Sequence, residues 1–201
     1  KATVHDFTRL VGGYSARSAR AHVVLLMMLF DHIGGIDTLF RGLASGFMLV
    51  APENRRPETI VASIAEHRVT VLPASPSFFS LLLASEANVG CDLSSVRIVG
   101  YGAEPMPEVT LSRLKTIFPQ AEFQQKFGTS ETNAIRVVSR EDGSLFFRIE
   151  DPDVEYRIVE GELWLRTSRL MLGYLNRNTR DIVADGWFKT GDIGEIDDDG
   201  F

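Results

Sequence analysis

Between residues 22 and 126 the chain alternates short apolar runs with longer amphipathic stretches. The runs at 22–30, 47–50, 69–72, 96–101 and 122–126 read as strands. Between them the spacing predicts helices over 35–45, 57–67, 76–87 and 107–118. Pro57, Pro76 and Pro107 stand at or near the first turn of three of these helices, where the absent N–H would have had no partner anyway. Such alternation implies βαβ units, and therefore an α/β fold: a mostly parallel, doubly wound sheet with helices on both faces. Beyond about residue 134 the texture changes to short β-type runs at 134–138, 154–159, 161–167 and 193–197, broken by Gly, Asp and Asn turns. The expected organisation is an α/β subdomain over 1–133 followed by a smaller β-rich, partial-barrel segment over 134–201.

A length of 201 residues suits one large domain, or one with an appendage. The net charge of −6 leaves no broad basic face to neutralise phosphates, so nucleic acid is not an expected partner. Cys91 is the only cysteine, which excludes an internal disulfide and any multi-cysteine metal site and fits a reducing cytoplasm. The longest apolar run, Val23 to Phe30, is far short of the roughly 20 residues of a membrane-spanning helix and is closed by Asp31 and His32. It reads as a buried strand. The start at Lys1 lacks a methionine and the end at Phe201 falls within an apparent hairpin turn, so both ends read as cut from something longer.

In open parallel sheets ligands gather beyond the carboxyl ends of the strands. Three unusual loops follow strand ends: Asp31-His32-Ile33-Gly34-Gly35, Gly102-Ala103-Glu104-Pro105 and Phe127-Gly128-Thr129-Ser130-Glu131-Thr132. All three should share one edge. The last combines an aromatic ring, a permissive glycine, three hydroxyls and one carboxylate, a set able to stack on a base, bind phosphate oxygens and hold a hard cation. The same residues would equally make a capped strand-to-helix turn. Gly102 to Pro105 could offer main-chain groups to a flat heterocycle or be a plain tight turn. His32 has no Ser/His/Asp or metal-ligand partners, which suits a structural residue better than a base. Asp192 follows a Thr-Gly pair and could accept hydrogen bonds from two adjacent hydroxyls or make an Asx turn. The run Asp197-Asp198-Asp199 before Gly200 reads as a solvated turn, since calcium ligands need a longer, defined spacing.

Taken in order, these segments resemble the adenylate-forming superfamily of acyl-CoA synthetases, luciferases and adenylation domains, as an interior piece of its large N-terminal domain. Phe30 to Gly35 resembles the segment lining the acyl pocket, and Gly102-Ala103-Glu104-Pro105 the adenine-contacting loop. Phe127-Gly128-Thr129-Ser130-Glu131 is similar to the family's Tyr-Gly-x-Thr-Glu, with Phe127 in place of tyrosine and Ser130 in place of threonine; the π face and the hydroxyl survive both changes. The stretch from Gly161-Glu162-Leu163-Trp164 to Gly173-Tyr174-Leu175-Asn176 resembles a largely structural β-rich part. Trp187 to Asp192 matches Trp-Phe-x-Thr-Gly-Asp, whose aspartate holds the ribose. Residues 148–160 look shorter than the family's counterpart.

The resemblance implies an AMP-forming acid–thiol ligase that uses ATP and Mg²⁺ to make an acyl-adenylate, with coenzyme A as the acceptor of the acyl group. It assigns Ser130 and Glu131 to catalysis and Glu131 to the metal. Gly102, Ala103, Glu104, Pro105, Phe127, Gly128, Thr129, Ser130 and Asp192 go to the nucleotide, and His32, Tyr101 and Ala134 to the acyl pocket. It also implies a phosphate loop upstream and a mobile C-terminal domain downstream, neither of which falls within the 201 residues, so the isolated chain is expected to bind AMP weakly and to turn nothing over. A non-catalytic scaffold of the same fold, and an adenylation domain serving a carrier protein, are the alternatives. A dinucleotide or methyltransferase fold is disfavoured, because no Gly-x-Gly-x-x-Gly follows an early strand.

Overall fold

The computed structural model describes residues 2–12, 14 and 21–201. The first elements in chain order are β1 (Thr3–Val4), α1 (Phe7–Gly12), β2 (Val23–Leu25), α2 (Ile33–Ser45), β3 (Met48–Val50), α3 (Pro57–His67) and β4 (Val71–Ala74). Then come α4 (Pro76–Ser85), β5 (Ile98–Gly102), α5 (Glu108–Ile117), β6 (Glu122–Thr129), β7 (Asn133–Ile135), β8 (Val137–Ser139) and β9 (Phe147–Ile149). The remainder is β10 (Val154–Val159), β11 (Glu162–Thr167), β12 (Gly173–Tyr174), β13 (Val183–Ala184) and β14 (Trp187–Ile193).

Six strands form the main sheet in the order β3-β2-β4-β5-β6-β7, parallel except for β7, which turns back antiparallel to β6. Strand alternation sends Leu25, Leu72 and Val99 to one face, where they meet Ile60 and Ile64 of α3, Phe79 and Leu82 of α4, and Leu114 of α5 in one fully buried core. Helix α2 lies on the opposite face; a Cβ on its Gly42 would fall 2.3 Å from Leu49 Cδ2, so glycine there lets the helix sit down on β3. Helices on both faces of a mostly parallel sheet are what the alternation of apolar and amphipathic segments implies.

Pro57 and Pro76 open α3 and α4 as expected, and Ser75 caps α4 by accepting from Phe78 N at 3.2 Å. The rest of the chain is strand and turn. An antiparallel sheet in the order β10-β11-β14-β13 closes over Ile135, Val154, Leu163 and Leu165, with Phe127 packed against that second core. The β10–β11 hairpin turns through Glu160 (φ 53) and Gly161 (φ 83), two left-handed residues of the kind a tight hairpin needs. Strand β1 pairs with β12, Thr3 opposite Tyr174, which draws the first residues across to the β-rich part.

Some element bounds differ from the sequence reading. The apolar run 22–30 is strand only over Val23–Leu25; Leu29 and Phe30 are exposed. A Cβ on Gly35 would lie 2.1 Å from the Leu29 carbonyl, so the second half of the run is a strap held against the first turn of α2 and is not a buried strand. Pro107 is the N-cap of α5, one residue before the helix starts. The strand expected at 193–197 is instead Trp187–Ile193: pairing with β11 and β13 selects the Trp-Phe-Lys-Thr segment, while Asp197 to Phe201 closes a turn through Gly200 N to Asp197 O at 3.0 Å. Phe127 to Thr129 extends β6, and the segment ends in a β6–β7 hairpin with no helix after it.

Candidate functional site

Strands β5 and β6 are parallel neighbours with Gly102 opposite Lys126, so the turns Ala103-Glu104-Pro105 and Ser130-Glu131-Thr132 leave the same edge of the sheet. The 130–132 turn is tightly tied. Thr129 Oγ1 accepts from Glu131 N and Thr132 N, both at 3.2 Å, and lies 3.0 Å from Thr132 Oγ1. Glu131 O accepts from Met171 N at 2.8 Å, and a His5 ring nitrogen lies 2.8 Å from the Ser130 carbonyl oxygen, so residues distant in sequence on both sides brace the turn.

Glu131 is 8% exposed, the one buried carboxylate among the described residues. The Tyr174 hydroxyl donates to its Oε1. Partial burial, then this bond and the adjacent negative charge, push the Tyr174 phenol up to about 12. Behind the turn Asn133 sits at φ 64, with both side-chain amide atoms buried and without a partner among the described residues. A strained backbone and an unsatisfied amide beside a buried carboxylate are the kind of local expense that clusters at functional sites.

A cleft of about 350 Å³ opens on Glu131 and Tyr174 from one side and on Glu162, Lys189, Thr190 and Gly191 from the other. The carboxyl-terminal half of β14 forms its second wall. Thr190 Oγ1 donates to Leu163 O at 2.7 Å and accepts from Asp192 N at 2.9 Å, and Gly191 N donates to Glu162 Oε1 at 2.8 Å. Asp192 follows at the exposed end. Loss of hydration, opposed by the Thr190 hydroxyl and reinforced by the charge of Glu162, holds its carboxyl above the usual carboxylate range.

The other expected residues lie around this cleft or away from it. Ala103 adopts φ 68, and Glu104 Oε2 accepts from the Ser77 hydroxyl and from Ser77 N at 3.2 Å. The Glu104 carboxylate is therefore engaged at the start of α4, which leaves main-chain groups as what the loop can offer. The Phe127 ring lies 4.8 Å from that of Phe147, at an interplanar angle of 36°. His32 is the N-cap residue of α2, extended, with no capping bond from its side chain. Tyr101 is 2% exposed within the main core, its phenol oxygen accepting from Gly143 N at 2.8 Å. Ala134 pairs with Gly128 across the hairpin.

The structure thus brings Glu131 and the Thr190-Gly191 end of β14 to one cleft and puts Tyr101 on the opposite face of the sheet from α2. Sequence reasoning missed Tyr174 as the partner of Glu131. Its Gly-Tyr motif was visible, but nothing local links it to a carboxylate 43 residues away. No three His, Cys, Asp or Glu side chains gather into a cage among the described residues. One buried carboxylate beside hydroxyls suits a cation that draws most of its ligands from phosphate and water, as Mg²⁺ does.

A family model described as AMP-binding enzyme matches residues 2–175. The chain is 32% identical over 202 residues to 4-coumarate--CoA ligase 1 of Oryza sativa subsp. japonica, covering 88% of this chain and 36% of that protein. It is 33% identical over 180 residues to 3-[(3aS,4S,7aS)-7a-methyl-1,5-dioxo-octahydro-1H-inden-4-yl]propanoyl:CoA ligase of Mycobacterium tuberculosis, covering 85% and 36%. Among solved structures, the luciferase-like enzyme of the Zophobas morio mealworm superposes with a TM-score of 0.79 at 25% identity, over 96% of this chain and 49% of that one. The o-succinylbenzoate coenzyme A synthetase of Bacillus subtilis superposes with a TM-score of 0.80 at 22% identity, over 99% and 47%, and so shares the fold. The chain spans about a third of the length of the curated relatives it matches.

Proposed function

The chain belongs to the AMP-binding enzyme family, and on that premise we propose that the protein joins a carboxylic acid to coenzyme A through an acyl-adenylate made from ATP. The observation that carries this reading is the shared cleft: Glu131, oriented by Tyr174, faces the Thr190-Gly191 end of β14, so a nucleotide could reach both. In this reading Asp192 accepts hydrogen bonds from the two ribose hydroxyls, and the main chain of Gly102 to Pro105 and the Phe127 ring border the adenine. The Ser130 hydroxyl contacts phosphate, while that of Thr129 is taken up within the turn.

Attack of one anion on another needs charge neutralisation and alignment. Glu131 would hold Mg²⁺, which supplies positive charge at the phosphates when bound. This chain's own part is positional. The Tyr174 hydroxyl occupies one Glu131 oxygen and leaves the other for the metal, and the Thr129 hydroxyl locks the turn. The relatives named above as CoA ligases support coenzyme A over a carrier-protein thiol as the acceptor. The direct test is AMP titration by calorimetry, with wild type against Asp192→Ala, alongside ATP–pyrophosphate exchange by the full-length protein on a panel of carboxylates. Equal AMP affinity in both forms would remove Asp192 from the ribose; no exchange with any acid would overturn the activity.

A further inference from the structure

The residue before the Phe127 turn sits where sequence reasoning had nothing to say. In β5, Val99 and Tyr101 belong to the core under α4 and α5, so Gly100 and Gly102 face the other way, towards the α2 side. Phe123 of β6 lies in the same core, so Gln124 and Lys126 share the α2 side with the two glycines. At Gly100 the sheet face carries no side chain of its own and Lys126 lies along it, a Cβ there coming 3.5 Å from Lys126 Cε, while at Gly102 the β6 main chain comes close, a Cβ there falling 2.3 Å from Lys126 O.

Two cations, Lys126 and Arg41, and two carboxylates, Asp37 and Glu122, stand around this strip of sheet. On α2, Asp37 already accepts from the Tyr14 hydroxyl at 2.8 Å and from Arg41 Nη2 at 3.2 Å, and the Arg41 guanidinium stands 5.2 Å over the Tyr14 ring. Lys126 Nζ donates to Gln124 Oε1 at 2.8 Å and makes no ion pair among the described residues. The side chain as a whole is exposed, yet surrounding atoms strip hydration from the ammonium. That loss and then Arg41 outweigh the opposing pull of Asp37 and Glu122 and hold it below the ordinary lysine range. Asp37, bonded to Arg41 and Tyr14, and Glu122, reached through Gln124, act on the ammonium only from a distance, so Lys126 stands beside the glycine strip with no carboxylate in direct contact among the described residues.

We infer that the glycine-floored strip between β5, β6 and α2 receives the tail of the acid, and that Lys126 selects acids whose far end carries a second anionic group, such as a carboxylate. This rests on the acyl-adenylate reading. The strip runs into the Phe127–Glu131 turn at which the acid would be activated. Lys126 stands three residues before Thr129 on the same strand, which places the second anion roughly 10 Å from the reacting carboxyl at about 3.3 Å per residue.

The test uses two acyl-sulfamoyl-adenosine mimics, with 3-phenylpropanoyl and 3-(4-carboxyphenyl)propanoyl tails, titrated by calorimetry into wild type, Lys126→Met and Lys126→Glu of the full-length protein. The expected result is a preference for the carboxylated tail on the order of tenfold in wild type, the size of a hydrogen bond to a charged group. Lys126→Met should abolish the preference and Lys126→Glu should invert it. Comparing two tails within each variant cancels any general loss of affinity, and melting curves report folding. Equal affinity for the two tails in wild type, or an unchanged preference in the variants, would overturn the inference while leaving adenylate binding standing. If wild type binds neither mimic and does not bind AMP, the functional reading itself fails, and the inference with it.

Discussion

Gly128 tests whether the β6–β7 hairpin that presents Glu131 depends on close backbone approach. A Cβ built there would lie 2.4 Å from Asn133 O, 2.8 Å from Ala134 Cα and 3.0 Å from Asn133 C, all main-chain atoms of the partner strand. None of them can swing aside, because Gly128 and Ala134 are paired across the ladder. The residue also holds φ 152, which side-chain-bearing residues rarely adopt. Backbone strain of about 1–2 kcal/mol and overpacking of about 1–3 kcal/mol put Gly128→Ala roughly 2–5 kcal/mol below wild type. For a chain of this size the melting point should fall by about 4–20 °C, at roughly 2–4 °C per kcal/mol. Gly161→Ala is the control. Gly161 has φ 83 but nothing within 4 Å of the added carbon, so it carries only the conformational cost, about 1 kcal/mol. Thermal unfolding followed by circular dichroism on wild type and both variants decides the matter. A Gly128→Ala melting point no lower than that of Gly161→Ala would refute the idea that the hairpin's close approach is what demands glycine.

Tyr174→Phe removes the donor to a buried carboxylate and should cost about 1–3 kcal/mol, read as a lower melting point at neutral pH. Because the folded phenol titrates at about 12 against 10.0 for the ordinary group, the wild-type advantage is complete below pH 10 and declines as pH rises towards 12; melting points from pH 8 to 11.5 should converge, and a constant gap would contradict the bond to Glu131. Arg169 donates to Asp151 at 2.7 Å and to Asp153 at 3.1 Å and is mostly buried, so Arg169→Ala leaves two carboxylates unpaired and should destabilise by about 3 kcal/mol, with chemical denaturation as the measure. Asp192 ionises above the usual carboxylate range, so if its charged form holds the ribose, AMP affinity should fall on the acid side beginning above pH 3.8. The acid limb should vanish in Asp192→Asn, and an identical pH profile in that variant would count against the assignment.

Hydrophobic periodicity and turn chemistry are local, and what depends on them was legible in the chain. The alternation of strands and helices, the proline starts of α3 and α4 and the parallel sheet of the α/β part are all found where the pattern puts them. Glu131 and Asp192 could be picked out from residue type and order; the structure places Glu131 and the Thr190-Gly191 pair just before Asp192 around one cleft, with Asp192 itself beyond its lining. Pairing between distant segments is a different matter, because a strand's partner is chosen by surfaces that sequence neighbours do not reveal. Only the fold shows that Trp187–Ile193 and not 193–197 is the strand, that Leu29 and Phe30 form an exposed strap, and that Tyr101 turns into the core. Only the fold joins Tyr174 to Glu131 and His5 to Ser130, contacts that span 43 and 125 residues. The sequence by itself determined the class of fold and the chemistry available to it. The tertiary structure decided which of those groups face one another, because burial, pairing and the placing of Lys126 beside Gly100 are properties of assembled surfaces and not of any stretch of chain.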